Sequence, residues 1–339
     1  MPDKTIRCRT HDADNPSLGL GPRIAHKGRS LGRMRQKRVR LMTWIAVDWG
    51  GSNLRAWLMQ DDTAVAEAGD RSAGARTLTR GAFEPTLRKL IDPWRSAWGD
   101  RPVTILICGE AGSREGWFEA PFAQAPCTPR TLTPTPVPTQ DAGLQVYMMP
   151  GLSQLRPKPT ILRGEETQIS GFLASHPTFE GVICLPGTHS KWAHVSAEEI
   201  VSFETTMTGE MYDLLAETSI LRHSVAHGDP DGIAFDEGVD VTLSNPERLV
   251  TELAAIRASH VLTNATKTAA DARLSGLLIG AEIAALKPYW LGQQVALIGR
   301  EVLCGLYARA LSKQGVPADR FAAGPLTQAG LFTALGTLD

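Results

Sequence analysis

At 339 residues the chain exceeds one typical domain and suits two of about 150 residues each. With 42% hydrophobic and 21% charged residues it has an ordinary globular composition, and no apolar run approaches the roughly 18 residues that a membrane helix needs. The five cysteines, Cys8, Cys108, Cys127, Cys184 and Cys304, are scattered, odd in number and without a C-x-x-C, which favours reduced thiols over a disulfide framework or a zinc site.

The net charge of −1 hides an asymmetry. Residues 1–42 hold 11 Lys/Arg against 3 Asp/Glu, net +8, while the remainder holds 24 against 33, net −9. This basic leader has no apolar h-region and little hydrophobic periodicity, so disorder is expected there. Three readings are open for it: an upstream start wrongly chosen, with the true start at Met42; a targeting peptide; or a nucleic-acid-binding arm.

In Trp44 to Leu58, WIAVDWGGSNLRAWL, an apolar strand runs into Asp48, a Gly50-Gly51 turn with Ser52 and Asn53, and a second alternating strand. The flanking strands separate this turn from Rossmann and Walker loops, whose glycines open a helix; neither G-x-G-x-x-G nor G-K-[ST] is present. It reads as a hairpin whose glycines let backbone approach phosphate, with an ordinary Gly-Gly hairpin as the plainer alternative.

A buried strand over Val103 to Ile107 enters the loop Ile107 to Trp117, ICGEAGSREGW, which can wall a ligand cleft at the strand's carboxyl end. Ser113, Arg114 and Trp117 are its candidate substrate contacts, Arg114 through a bidentate grip on a carboxylate. Pro121 to Pro138 is dense in proline and is expected to be an extended surface loop or flap outside the core. Leu162 to Phe172, LRGEETQISGF, places Glu165 and Glu166 at the start of a helical pattern, where acids also simply complement the helix dipole. Arg163 beside them is a second candidate for a substrate carboxylate.

Gly181 to Val195, GVICLPGTHSKWAHV, repeats the strand-turn-strand form with the turn P-G-T-H-S-K. Two such hairpins suit a duplicated, two-lobed protein with a ligand in the cleft between its halves. Gly187, Thr188, His189 and Lys191 are the candidate contacts of this turn, and none of the 8 histidines has a metal-ligand spacing. Phe203 to Leu215, FETTMTGEMYDLL, sets Thr205, Thr206 and Thr208 before a helical run, as an N-cap or as ligand contacts. A long helix is expected over Ala269 to Leu286, and Gln294 to Leu311 reads as strand, Gly299, then amphipathic helix.

The first turn resembles the first phosphate element of the actin, hexokinase and Hsp70 superfamily. The succession D-W-G-G-S-N-L-R-A-W, G-S-R-E-G-W, R-G-E-E-T-Q, P-G-T-H-S-K-W, M-T-G-E and L-S-G-L-L-I-G-A-E resembles the 2-dehydro-3-deoxygalactonokinase family from about Trp44 to the C-terminus. This resemblance implies an α/β, two-lobed actin-like ATPase fold with duplicated ribonuclease H-like lobes, over 43–178 and 179–339, and an active site in the interlobe cleft. It implies ATP-dependent phosphorylation of the terminal hydroxyl of 2-dehydro-3-deoxy-D-galactonate, in galactonate catabolism by the De Ley-Doudoroff route, with ATP and Mg²⁺ as cofactors. A kinase for a related acid sugar, or a phosphohydrolase of the same fold, is the alternative. The family starts at the first strand, which favours Met42 as the true start.

By the same resemblance Asp48 orders Mg²⁺ through water, and Gly50, Gly51, Ser52, Asn53, Gly187, Thr188 and His189 cradle the phosphates with Lys191 in reach. Gly299 would pack on the adenosine. Glu166 is favoured as the base, with Glu165 as its substitute or as a partner of the Mg²⁺ waters; Ser113, Arg114, Trp117, Arg163 and Thr208 would contact the sugar acid. One departure is Cys108-Gly109-Glu110, which puts an extra acid where a more apolar strand end is expected. The expected partner is a small sugar acid, with no nucleic acid and no membrane, in the cytoplasm; the oligomeric state is open, a homodimer being one alternative.

Overall fold

The structure is a computed structural model and describes residues 42–228 and 231–338. The readings of the basic leader fall on residues outside the described ones, Met42 excepted.

β1 (Thr43–Trp49) is apolar at nearly every position because both of its faces are covered. Ile45, Val47 and Trp49 enter one buried cluster and Trp44 and Ala46 another, as the period of two requires. β2 (Leu54–Gln60) and β3 (Thr63–Asp70) follow as antiparallel neighbours. α1 (Phe83–Ile91) buries Phe83, Leu87 and Ile91, one face at helical spacing, against the first of those clusters. β4 (Val103–Cys108) then pairs parallel to β1.

The next segment corrects the expectation of a proline-rich flap. β5 (Phe122–Gln124) and β6 (Thr135–Val137) lie within it, and Pro129, Leu132 and Val137 are buried. Pro136 sits in β6 at the sheet edge, where a residue without an N–H is tolerated. β7 (Leu144–Met148) pairs parallel to β4 and antiparallel to β6. The first sheet therefore has the order β3-β2-β1-β4-β7-β6, and β8 (Gly151–Gln154) and β9 (Thr160–Leu162) join β5 in a small separate sheet.

After α2 (Glu165–Ser175), β10 (Gly181–Leu185), β11 (Ser190–Ser196) and β12 (Glu199–Thr206) form a second antiparallel run. The short α3 (Thr208–Asp213) leads to α4 (Gly232–Ser244), α5 (Leu249–Thr263), α6 (Lys267–Ala285) and α7 (Lys287–Trp290). α6 is the long helix expected at this place. β13 (Val295–Gly299), α8 (Glu301–Ser312), β14 (Ala318–Ala322) and α9 (Ala323–Leu335) complete the chain, with β13 parallel to both β10 and β14.

The order β12-β11-β10-β13-β14 reproduces β3-β2-β1-β4-β7 in order and in strand sense. This duplication is the two-lobed actin-like ATPase fold. α9 returns to the first half, where Leu331, Ala334 and Leu335 pack with Trp44 and Leu106. It crosses α2 so closely that a Cβ on Gly330 would lie 2.0 Å from the Thr167 carbonyl oxygen, and one on Gly171 2.0 Å from that of Leu326. Among the described residues no helix is long and apolar enough to cross a membrane, and the four described cysteines form no disulfide.

Candidate active site

The first turn, Gly50 to Asn53, is held from behind. The carbonyls of Gly50 and Gly51 accept from the N–H groups of Ala75 at 2.9 Å and Arg76 at 3.1 Å. Gly74 permits this approach, since a Cβ there would stand 2.4 Å from the Gly51 carbonyl oxygen. Asp48 and Arg55 are cross-strand partners in the hairpin register, and the Arg55 Nη2 donates to Asp48 Oδ2 at 2.6 Å.

The second turn, Pro186 to His189, joins β10 to β11 and is backed by the first turn of α3. The Thr188 carbonyl accepts from the Glu210 N–H at 2.9 Å, the Glu210 carboxylate pairs with His189 Nε2, and Gly209 rests on the Gly187 carbonyl. Beyond the turn, alternation along β11 divides its side chains between two faces. Trp192 Nε1 donates to Glu282 Oε1 at 2.7 Å and Tyr307 Oη to Glu282 Oε2 at 2.8 Å. Ser190 Oγ lies 2.9 Å from Tyr307 Oη, and because that phenol has given its proton to Glu282, the serine is the donor here. All four side chains are buried, so a satisfied polar network ties the exit of the turn to α6 and α8. Lys191 faces the other way, its Nζ donating to the Ile161 carbonyl at 2.8 Å and to Thr205 Oγ1 at 3.1 Å.

α2 begins after Gly164, whose φ of 111° suits glycine and whose Cα side presses on Gly109 at the end of β4. Its two leading acids diverge. Glu165 accepts from the Arg163 N–H at 2.8 Å and lines the cleft. Glu166 is 1% exposed and accepts from the Gly164 N–H at 2.7 Å and from Thr167 Oγ1 at 3.0 Å. Burial, reinforced by the charge of Glu165, pushes Glu166 up to about 7. Burial raises Glu165 as well, opposed chiefly by the Lys191 ammonium.

A cleft of about 1170 Å³ brings together Asp48, Gly50, Gly51, Ser52, Asn53, Arg163, Glu165, Gly187, Thr188, His189, Lys191 and Gly299. A second cavity of about 570 Å³ adjoins it, sharing Gly187, Thr188, Arg300 and Glu301, and is walled by α3, α6 and α8.

Several expected site residues stand elsewhere. Glu166 does not line the cleft; Glu165 takes that place, because consecutive helical residues point about 100° apart. Trp117 is a core residue, stacked on Phe83 and edge-on to Trp49. Arg114 is exposed and paired with Glu119, and neither it nor Ser113 lines the cleft. Thr208 lines the second cavity, away from Glu165. Arg163 lines the cleft, yet its guanidinium stacks on the Phe122 ring at 4.1 Å, donates to the Ala120 carbonyl, and has its Nη1 buried without a partner.

Glu110, the extra acid noted after β4, lines the cleft, as do Arg55, Arg76, Gln168 and Arg300, which the sequence does not single out for that place. Arg55 was legible, since a tight four-residue turn after Trp49 makes it the partner of Asp48. Arg76 carried no local signal; its place depends on a loop returning to Gly51.

The family model for 2-keto-3-deoxy-galactonokinase matches residues 48–334. A Rhizobium meliloti (strain 1021) protein named as a 2-dehydro-3-deoxygalactonokinase is 34% identical over 296 residues, 86% of this chain and 96% of that protein. The Escherichia coli (strain K12) 2-dehydro-3-deoxygalactonokinase is 31% identical over 290 residues, 85% of this chain and 96% of its own. A crystal structure of a Sinorhizobium meliloti protein described by the same activity superposes with a TM-score of 0.78 at 34% identity, covering 87% of this chain and 99% of that one. Likeness of this extent, over a cleft built from two glycine turns, shows that the chain belongs to the 2-keto-3-deoxy-galactonokinase family and is an ATP-using sugar-acid kinase.

Proposed function

We propose that this chain transfers the terminal phosphoryl group of ATP to the terminal hydroxyl of 2-dehydro-3-deoxygalactonate, the acid sugar in the names of its relatives. The observation that carries this reading is the convergence of both glycine turns and Glu165 on one cleft. Phosphoryl transfer asks for held phosphates and a carboxylate to align the attacking hydroxyl and take its proton, with little covalent chemistry from the protein.

On this reading the backbone of Gly50 to Asn53 and of Gly187 to His189 holds the phosphates. The second cavity, with Gly299, Arg300 and Glu301 near its rim and Leu278, Ile279 and Leu306 in its wall, receives the adenosine. Glu165 orients the sugar hydroxyl and accepts its proton, while Glu166 fixes the start of α2 from behind. The lobes, taken as 43–178 and 179–339, close over the acceptor and exclude water; each range holding one copy of the five-strand unit supports that division.

Among the described residues no group of three His, Cys, Asp or Glu side chains is placed to hold a metal ion. That suits Mg²⁺, which keeps most of its waters and takes one or two carboxylates beside phosphates. Asp48, on the cleft next to the first turn, is the carboxylate to hold those waters. When bound, Mg²⁺ supplies charge neutralisation on the phosphates. The same reading makes the protein a cytoplasmic enzyme of small molecules.

A coupled ADP-release assay with ATP and Mg²⁺ tests the reading, comparing 2-dehydro-3-deoxygalactonate, its gluconate epimer, galactose and no acceptor. Turnover confined to the galactonate compound is expected. Preference for the epimer would move the substrate to a related acid sugar, ADP release without acceptor would indicate a phosphohydrolase, and silence throughout would refute the reading.

A further inference from the structure

The cleft is lined by several cations, and most have an evident task. Arg55 is paired with Asp48, and the guanidinium of Arg163 is stacked on Phe122 and donates to the Ala120 carbonyl, with its Nη1 left buried and unpartnered. Arg71, Arg76 and Arg300 are exposed, Arg76 beside the first turn and Arg300 at the second cavity. Lys191 differs from the exposed arginines and shares with Arg163 its burial. It is only 6% exposed, and among the described residues its ammonium makes no ion pair. Two of its three N–H bonds go to neutral acceptors, the Ile161 carbonyl and Thr205 Oγ1, leaving one for a ligand in the cleft that the residue lines.

Its direction is set by β11. Ser190 and Trp192 point to Tyr307 and Glu282, on the side of the second cavity, and alternation sends Lys191 to the opposite face. There it meets β9, whose end leads through Arg163 and Gly164 into Glu165. The Glu165 carboxylate offsets part of the cost of burying this ammonium, but among the described residues no carboxylate bonds to it, so an anion that arrives with a ligand can take its remaining N–H.

We propose that Lys191 anchors the carboxylate of the acid-sugar substrate and thereby selects an anionic sugar over a neutral one. Lys191 thus serves the acceptor half of the cleft and not the phosphates. This rests on the preceding reading that the acceptor is a sugar acid, and it adds the residue that recognises the acid.

The test uses the full chain with Lys191→Met and Lys191→Arg. Calorimetric binding and KM are measured for ATP, for 2-dehydro-3-deoxygalactonate and for its neutral primary amide. The wild type should prefer acid over amide by about 10- to 100-fold, the worth of one hydrogen bond to a charged group. Lys191→Met should abolish that preference by weakening the acid alone, with ATP affinity within about twofold, and Lys191→Arg should restore part of it. A preference that survives in Lys191→Met, or a loss confined to ATP, overturns the proposal. A wild type that turns over the acid and the amide equally would also overturn it while leaving the kinase reading intact. If Lys191→Met fails to fold, the acid-amide comparison in the wild type and in Lys191→Arg still decides, since equal binding of the two ligands by both proteins refutes the anchor.

Discussion

Glu166→Gln reads stability and catalysis at once. The carboxyl is almost fully buried, and burial together with Glu165 raises it from an ordinary 4.5 to about 7. Between those values the folded protein holds the proton more tightly than the unfolded chain, so the folded state binds more protons and stability falls as pH rises. The penalty is absent below about 4.5 and complete above about 7. At 1.36 kcal/mol per pH unit, the difference of about 2.5 amounts to roughly 3 kcal/mol. Glutamine has no charge to lose, and its amide can still accept from the Gly164 N–H while donating to Thr167 Oγ1. Glu166→Gln should therefore match the wild type near pH 4 and exceed it by about 3 kcal/mol at pH 8.5, a rise in Tm of roughly 4–5 °C for a chain of this size. Thermal melts at the two pH values check this, with turnover measured on the same samples. Equal destabilisation at both pH values would refute the argument from burial. Turnover reduced by about two orders of magnitude or more would return the role of base to Glu166.

Glu165→Gln should slow turnover by about 10²- to 10⁴-fold with ATP affinity unchanged, as measured by steady-state kinetics and calorimetry, because it removes the proton acceptor and leaves both phosphate turns in place. Gly330→Ala would place a Cβ 2.0 Å from the Thr167 carbonyl oxygen, a backbone atom that no rotamer change can move. Forcing α2 and α9 apart should cost about 3 kcal/mol and, since α2 carries Glu165, also reduce turnover; an unchanged Tm would refute that crossing. Tyr307→Phe leaves Glu282 Oε2 and Ser190 Oγ without their partner inside the second lobe. It should cost about 1–3 kcal/mol in urea unfolding and raise the KM for ATP more than that for the sugar acid.

The duplicated hairpins were legible because each is local. A strand buried on both faces reads as a continuous apolar run, and a glycine-containing turn closes it, as in Ile45 to Leu58 and Val182 to Val195. β13, Gly299 and α8 were legible for the same reason, since a change of hydrophobic period from two to 3.6 falls within one short segment. The proline-rich stretch misleads because proline excludes a central strand but not an edge strand, and edge position is a property of the sheet. Trp117 reads as a substrate contact because its loop is polar, whereas its ring fills the core beside Trp49 and Phe83.

What the amino-acid order determined by itself is therefore the repeated strand-turn-strand unit, the positions of both glycine turns and the family to which they belong, all properties of residues a few places apart. Only the tertiary structure decided which groups share the cleft. Glu165 and Glu166 are adjacent in sequence, yet the helix phase turns one to the cleft and the other to the interior. Lys191 stands between Ser190 and Trp192, yet the pleat sets it on the opposite face, and what waits there is supplied by β9 and β12. Long-range packing chooses among such neighbours because burial, hydrogen-bond satisfaction and counter-charge are set by segments far away in the chain.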